Sequence, residues 1–429
     1  MIGLAPNLLA ICILTQIVKA ARMMNSQAYQ IESTFPSIYL NGLAQLMTRV
    51  FRGEDLTELG LDLVNQAQTG DAQALLDLSI LLQLQGQAEL ALTIQQQALQ
   101  LEQHYQLPPV NDRKAINLLA IVAPGNLMTN TPLEFIAEGA GFNLQLLYVD
   151  QKLPLPQNLP EHDIAIVALS ELDANMATLD YISNWIDLWP RPVLNLPGDI
   201  SVLGRDLISQ KLQHIAGLEM PLTFRIGRDK LEHVILTKGD LSDWIDDGEL
   251  PVIIRPIDSH AGIGLEKLDE MIELQSYLTR HDEAEFFVSR YVDYRKKDGQ
   301  FRKYRVAVID GQAHLAHLAV CDQWKIYFGI AGMEASSVKR AEEAREMASF
   351  KDQFAKRHAY AIRALHEAVG LDYFGIDCSE TQDGKLLIFE VGASMNIHSM
   401  DSAELYPYKQ PQMQSIFNDF LAMLQRKRS

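Results

Sequence analysis

The chain reads as a mixed α+β and α/β protein of several domains: an all-helical N-terminal part, a parallel-sheet part, and a strand-rich C-terminal part. Three observations predict this. Residues 71–105 carry apolar side chains at three- and four-residue spacing, with Gly86 between two helices. From residue 116, short β-rich runs alternate with helical ones, the pattern of a parallel sheet with crossover helices. Beyond residue 300, two pairs of β-rich runs each flank an Asp-Gly, at Asp310-Gly311 and Asp383-Gly384. Asp-Gly is the strongest short signal for a tight hairpin.

The bulk numbers fit this plan. A length of 429 residues is too great for one ordinary core. Hydrophobic content of 48% and charged content of 21% are those of a globular protein. A net charge of −18 argues against nucleic acid or an anionic membrane as the main partner. Cys12, Cys321 and Cys378 are far apart and form no metal-ligand spacing, which points to a reducing compartment. The apolar N-terminus has no basic residue ahead of it and is interrupted by Asn7, Thr15 and Gln16. A buried helix in a cytoplasmic protein is the expectation there.

Taken in order, residues 1–110 form the helical domain and end in a proline-containing linker at 106–114. Residues 71–105 resemble one tetratricopeptide-type or Sel1-type helical hairpin. A single copy cannot bury a solenoid core, so a helical cap or homodimerisation element is expected. Residues 111–204 form a Rossmann-like sheet with strands at 116–122, 144–149, 163–169 and 192–196. Its first turn, Ala123-Pro124-Gly125-Asn126, holds one glycine, so no dinucleotide is predicted. Residues 205–429 form the last domain, divided near 290. Its first half has a strand at 251–256 followed by a glycine-bearing loop at 257–264, whose backbone N–H groups can fold over phosphates. The polar stretch 333–349 reads as a surface lid or helix.

The chemistry is carried by residues 373–398. Closing a two-residue turn at Asp383-Gly384 puts Asp377 opposite Glu390 on a face shared with Gly375, Ser379, Ile388 and Gly392. Two carboxylates about 5 Å apart repel, so one is protonated or a cation lies between them; the alternative is a solvated hairpin with two exposed acids, and a longer, bulged turn would break the pairing. Oxygen ligands on neighbouring strands suit Mg²⁺. On this reading, removing either charge abolishes turnover and leaves the fold intact or, without Mg²⁺, slightly more stable.

In this order the pieces resemble an ATP-grasp enzyme from about residue 116 onward. They are a Rossmann-like pre-ATP-grasp domain, a strand with a glycine loop, a hinge strand, an arginine strand and an acidic hairpin. The carboxylate–amine ligases of that superfamily are the most similar in pattern: D-alanine–D-alanine ligase, glutathione synthetase and the ribosomal-protein glutamate ligase. The resemblance implies a two-subdomain fold with ATP and Mg²⁺ between the subdomains. It implies activation of a carboxylate as an acyl phosphate, then attack by an amine. Asp377 and Glu390 match the metal carboxylates. Arg255 stands where the family has a phosphate-binding lysine, and Arg205 matches an earlier cationic position. Ser259, His260, Ala261, Gly262 and Gly264 match the phosphate-covering loop. Ser289 and Tyr291 fall on the adenine-reading hinge, with Asp293 a ribose contact, and Arg305 matches the arginine that steadies the acyl phosphate. The family's Glu-x-Asn is broken by Gly392, so that Asn396 bends back to the second metal, or water replaces the lost ligand, or one metal is held in place of two with impaired catalysis.

For the substrate the residues offer His314, His317, Lys325 and His398. A separation of three keeps His314 and His317 on opposite faces of an uninterrupted strand. The partners expected are a small-molecule or peptide carboxylate and an amine. Two alternatives stay open: an ATP-grasp kinase that makes no acyl phosphate, and a nucleotide-holding scaffold whose helical region binds a partner.

Overall fold

The structure is a computed structural model. It describes residues 39–428 except 111, 113, 244, 247, 260, 261 and 328–330. The N-terminal apolar stretch with Cys12, and loop residues His260 and Ala261, lie outside the described residues. The chain forms two compact units.

The first unit runs up to Ala168 and includes Trp189–Val193 and Leu424–Ser429. Its helices span Gly42–Phe51, Thr57–Gln68, Ala72–Leu84 and Ala88–Leu101. Ala72–Leu84 is apolar nearly all round and is buried on almost every side, with Asp71 accepting from the Ala74 N–H at its start. Within it the buried Asp77 accepts from the N–H groups of Asn41 and Gly42 (2.8 and 2.9 Å), capping the start of Gly42–Phe51. The helices give way to a sheet of β1 (His104–Gln106), β2 (Asn117–Val122), β3 (Asn143–Tyr148), β4 (Ile164–Val167) and β5 (Val193–Leu194), ordered β1-β3-β2-β4-β5. β2 pairs in parallel with both β3 and β4. Their continuous apolar runs are what a sheet covered on both faces requires.

The second unit, Leu169–Leu188 and Leu194–Met423, holds two further sheets. One is β7-β10-β8-β9, from β7 (Thr223–Gly227), β8 (Val252–Pro256), β9 (Glu266–Leu268) and β10 (Glu285–Arg290). The other is β12-β11-β13-β14-β6, from β6 (Leu218–Glu219), β11 (Phe301–Ile309), β12 (Gln312–Cys321), β13 (Tyr373–Glu380) and β14 (Leu386–Gly392). Helices Arg228–Thr237 and Lys409–Lys427 were not legible in the sequence. Phe420 of the latter meets Tyr373 edge-on, ring centroids 5.1 Å apart.

The β13–β14 hairpin departs from the expected turn in a way that cancels. Thr381 and Lys385 close a three-residue loop, with the Gly384 N–H donating to Thr381 O (3.2 Å) and Gly384 at φ +86. That is a type I turn followed by a left-handed residue. The register is thereby one residue off until a bulge at Phe389 restores it, so that Asp377 does face Glu390. Between turn and bulge the faces are exchanged: Ile388 lies opposite Cys378, and Leu387 opposite Ser379.

Candidate active site

Four side chains form a row across one face of the second sheet. His317 of β12 pairs with Arg305 of β11, Arg305 with Asp377 of β13, and Asp377 with Glu390 of β14. Directly paired residues share a face, so the row is continuous. The repulsion between Asp377 and Glu390 is offset by the chain's own cations. Arg305 grips Asp377 through two bonds (2.9 and 3.0 Å), and Lys303 Nζ adds a third at 2.8 Å. Glu390 pairs with Arg205 at 2.6 Å. Burial would raise the Asp377 pKa, but Arg305 and Lys303 outweigh it and hold the carboxyl far below its usual range. The premise that the two acids repel without compensation, on which the expectation of a spared or strengthened fold after their removal rests, is therefore corrected. Each removal would strand a cation.

The Phe389 bulge has a second consequence. Its carbonyl is taken by Arg205 (2.9 Å), which brings that guanidinium into the cleft. The cleft, about 450 Å³ with its open mouth, is lined by Glu171, Arg205, Arg225, Arg255, Ser259 and Glu390 among others, all within the second unit. Arg225 is held by Asp173 at 2.5 and 2.8 Å. Arg255 differs from its neighbours. It donates to the Ser259 hydroxyl at 3.0 Å and to the Ser259 carbonyl, and among the described residues no carboxylate pairs with it. Burial, and then Arg205 beside it, push its pKa down to about 9.

The loop after β8 is built for a tight return. Asp258, Gly262 and Gly264 take positive φ, and a Cβ on Gly264 would meet Pro256 at 2.5 Å. Lys325 Nζ donates to Leu265 O (2.7 Å) and Tyr277 Oη to Gly264 O (2.8 Å), so Lys325 belongs to this loop. β10, the expected hinge strand, is paired on both sides, by β7 and β8, through Ser289. Beyond it the Tyr291 N–H bonds Pro251 O at 3.0 Å. Asp293 pairs with Arg295.

The histidines are also redistributed. A bulge at Ala316 adds a residue to β12, so His314 opposite Ala307 and His317 opposite Arg305 fall on the same face, against the odd-separation expectation. His314 is buried near Asp419 (3.5 Å), away from the row's end. His398 is driven down to about 4, first by burial. The stretch 333–349 is the helix Ser337–Ser349, and its Glu343 is fully buried instead of facing solvent. Lys303, Glu171, Glu343 and Lys409 complete the site and were not singled out from sequence; only Lys303, two residues before Arg305 on one strand face, carried a signal.

Among the described residues no three His, Cys, Asp or Glu side chains gather as a metal cluster. A Mg²⁺ site would therefore combine two carboxylates with a neutral oxygen. The donor set fits that ion. Asp377 Oδ1 accepts one bond and Glu390 Oε1 one, leaving lone pairs, and the buried Asn396 Oδ1 has no hydrogen-bond partner among the described residues.

No protein-family model matches the chain, and no curated protein matches it. Similar solved structures include the VanG D-Ala:D-Ser ligase of Enterococcus faecalis, at 14% identity and TM-score 0.44, covering 74% of this chain and 100% of that one. The D-alanine–D-alanine ligase of Bacillus anthracis is at 14% and 0.43, covering 73% and 97%. A RimK domain ATP-grasp protein of Sphaerobacter thermophilus is at 14% and 0.40, covering 72% and 99%. Likenesses this loose assign neither a reaction nor a residue's role.

Proposed function

We propose that this chain is an ATP-dependent ligase that activates a substrate carboxylate as an acyl phosphate and joins it to an amine, releasing ADP and phosphate. The observation that supports it most is Arg255: a guanidinium in a cleft, next to a second one, with no carboxylate in ion-pair contact among the described residues and with burial and Arg205 outweighing the attraction of Glu390. Such a charge is costly until an anion arrives, and phosphate matches its fork. Ser259 meets the same cation, and in this reading it would help shield an intermediate that water destroys.

In this reading Arg205 and Arg255 bind the phosphates and stabilise charge on the transferring group. Arg305, anchored by Asp377, orients the acyl oxygens. Asp377, Glu390 and Asn396 would hold Mg²⁺, which when bound shields the phosphate oxygens. The helical region serves as a cap or dimer contact.

The test is isothermal titration of a non-hydrolysable ATP analogue with and without Mg²⁺, followed by ADP release with carboxylate and amine pairs. Mg²⁺-dependent binding and ADP release that needs both partners are expected. ADP release with an alcohol and no carboxylate would favour a kinase, and no nucleotide binding would overturn the reading.

A further inference from the structure

The row across the sheet ends in a group that the proposed reaction has not used. His317 Nδ1 lies 2.7 Å from Glu343 Oε1, and Glu343 is fully buried while the His317 side chain is 37% exposed. Glu343 is itself fixed by the Leu318 N–H (3.0 Å) and the Tyr408 hydroxyl (2.7 Å). A buried carboxylate, pinned on both oxygens and bonded to the inner nitrogen of an exposed imidazole, sets ring orientation and tautomer.

Lys409 Nζ is also near, 3.0 Å from Nδ1, so the tautomer must be argued. Lys409 has other acceptors, Asp401 at 2.9 Å and Glu343 at 3.3 Å. An unprotonated Nδ1 would set its lone pair against a carboxylate oxygen at 2.7 Å. The proton therefore sits on Nδ1 and points at Glu343. Nε2 keeps its lone pair, and among the described residues no group bonds it. His398 and Arg305 are further charged or titratable groups that face His317, and Asp401 reaches it through Lys409.

We infer that His317, positioned by Glu343, is the proton acceptor for the attacking amine; this rests on the ligase reading above. Three strand spacings, about 14 Å, separate His317 from Glu390. That length orders the reactants: phosphates at Glu390, Arg205 and Arg255, acyl group over Arg305, amine at His317. The step balances. The ammonium gives one proton to Nε2, and its nitrogen bonds the acyl carbon. The C–O bond to phosphate breaks, phosphate leaves with the electron pair, and the second nitrogen proton goes to it as hydrogen phosphate.

Hydroxylamine separates this role from the reading beneath it. It is neutral near pH 7, so it captures an acyl phosphate without a proton acceptor, whereas an alkyl ammonium cannot. The full chain is incubated with ATP, Mg²⁺, a panel of the common amino acids as carboxylates, and either hydroxylamine or an amino-acid amide. Wild type should give both hydroxamate and amide. In His317→Gln the ratio of amide to hydroxamate should fall by about 10²-fold or more. Amide formation by the variant should then climb with pH in step with the free-amine fraction. Glu343→Gln, which retains an oxygen for the Leu318 N–H, should lower the same ratio by less. An unchanged ratio in His317→Gln would overturn the role while leaving the ligase standing. No hydroxamate from wild type would overturn both.

Discussion

A Cβ built on Gly392 would stand 3.0 Å from Glu171 Oε1, while Glu171 Oε2 accepts from the Ala393 N–H at 3.0 Å. Gly392 thus leaves the space in which a carboxylate from a remote segment sits. Burial, and lesser effects that include repulsion from Glu390, raise the pKa of Glu171 to about 7. Gly392→Asn should push Glu171 off the Ala393 N–H and cost about 1–3 kcal/mol, the usual penalty for leaving a shielded donor unpaired. Glu171→Ala in that background should recover part of the loss. Urea unfolding of the two single variants and the double variant measures the coupling. Strictly additive costs would show that the two residues do not compete for this space.

Asp377 supports a similarly concrete expectation. It is 2% exposed and neutralises two cations, so Asp377→Asn should destabilise by about 3–5 kcal/mol, the range for breaking a buried pair by removing one partner. Glu390→Gln should cost less, because Glu390 is more exposed and has one ion-pair partner. Thermal unfolding of both variants checks the order. Equal or reversed losses would contradict the charge balance described above.

The parts legible in sequence were those governed by short-range periodicity. The strand runs that became β2, β3, β8, β11 and β13 each followed from apolar spacing, and Asp377 opposite Glu390 followed from counting back from Asp-Gly. That count succeeded because two one-residue departures, the longer turn and the Phe389 bulge, cancel. Where they do not cancel, at Leu387 and Ile388, the face was misread. Glu171 and Glu343 gave no local signal because their partners lie 222 and 65 residues away, at Ala393 and Tyr408. A charged helix such as Ser337–Ser349 reads as solvated until its one buried acid is matched to a histidine on another element.

The Glu343 cluster should also shape acid stability. Burial raises its pKa, but His317 and Lys409 outweigh that and hold it at about 2, below its ordinary 4.5. A carboxyl depressed by folding contributes stability above its unfolded pKa, and that contribution is lost as pH falls from about 4.5 toward 2. The shift corresponds to roughly 3 kcal/mol. Glu343→Gln should therefore be less stable at neutral pH and show a shallower acid limb between about pH 5 and pH 2. An acid limb as steep as wild type would mean that Glu343 is not held ionised by its neighbours.

Arg255 ties stability to ligand. Burial and the neighbouring Arg205 outweigh the attraction of Glu390, so its charge is a liability in the ligand-free cleft and, on the proposed reading, an asset once phosphates arrive. Arg255→Met keeps the aliphatic bulk on β8 and removes the charge. The variant should melt at or above the wild-type temperature without nucleotide, since burying an unpaired cation costs more than burying a thioether. It should lose most of the stabilisation that ADP gives wild type, which at a hundredfold excess over Kd is about 2.7 kcal/mol. Differential scanning fluorimetry across an ADP series reads both effects. Undiminished ADP stabilisation in the variant would place the phosphates elsewhere, and a large loss of ligand-free stability would mean that Arg255 holds the fold together and does not wait for an anion.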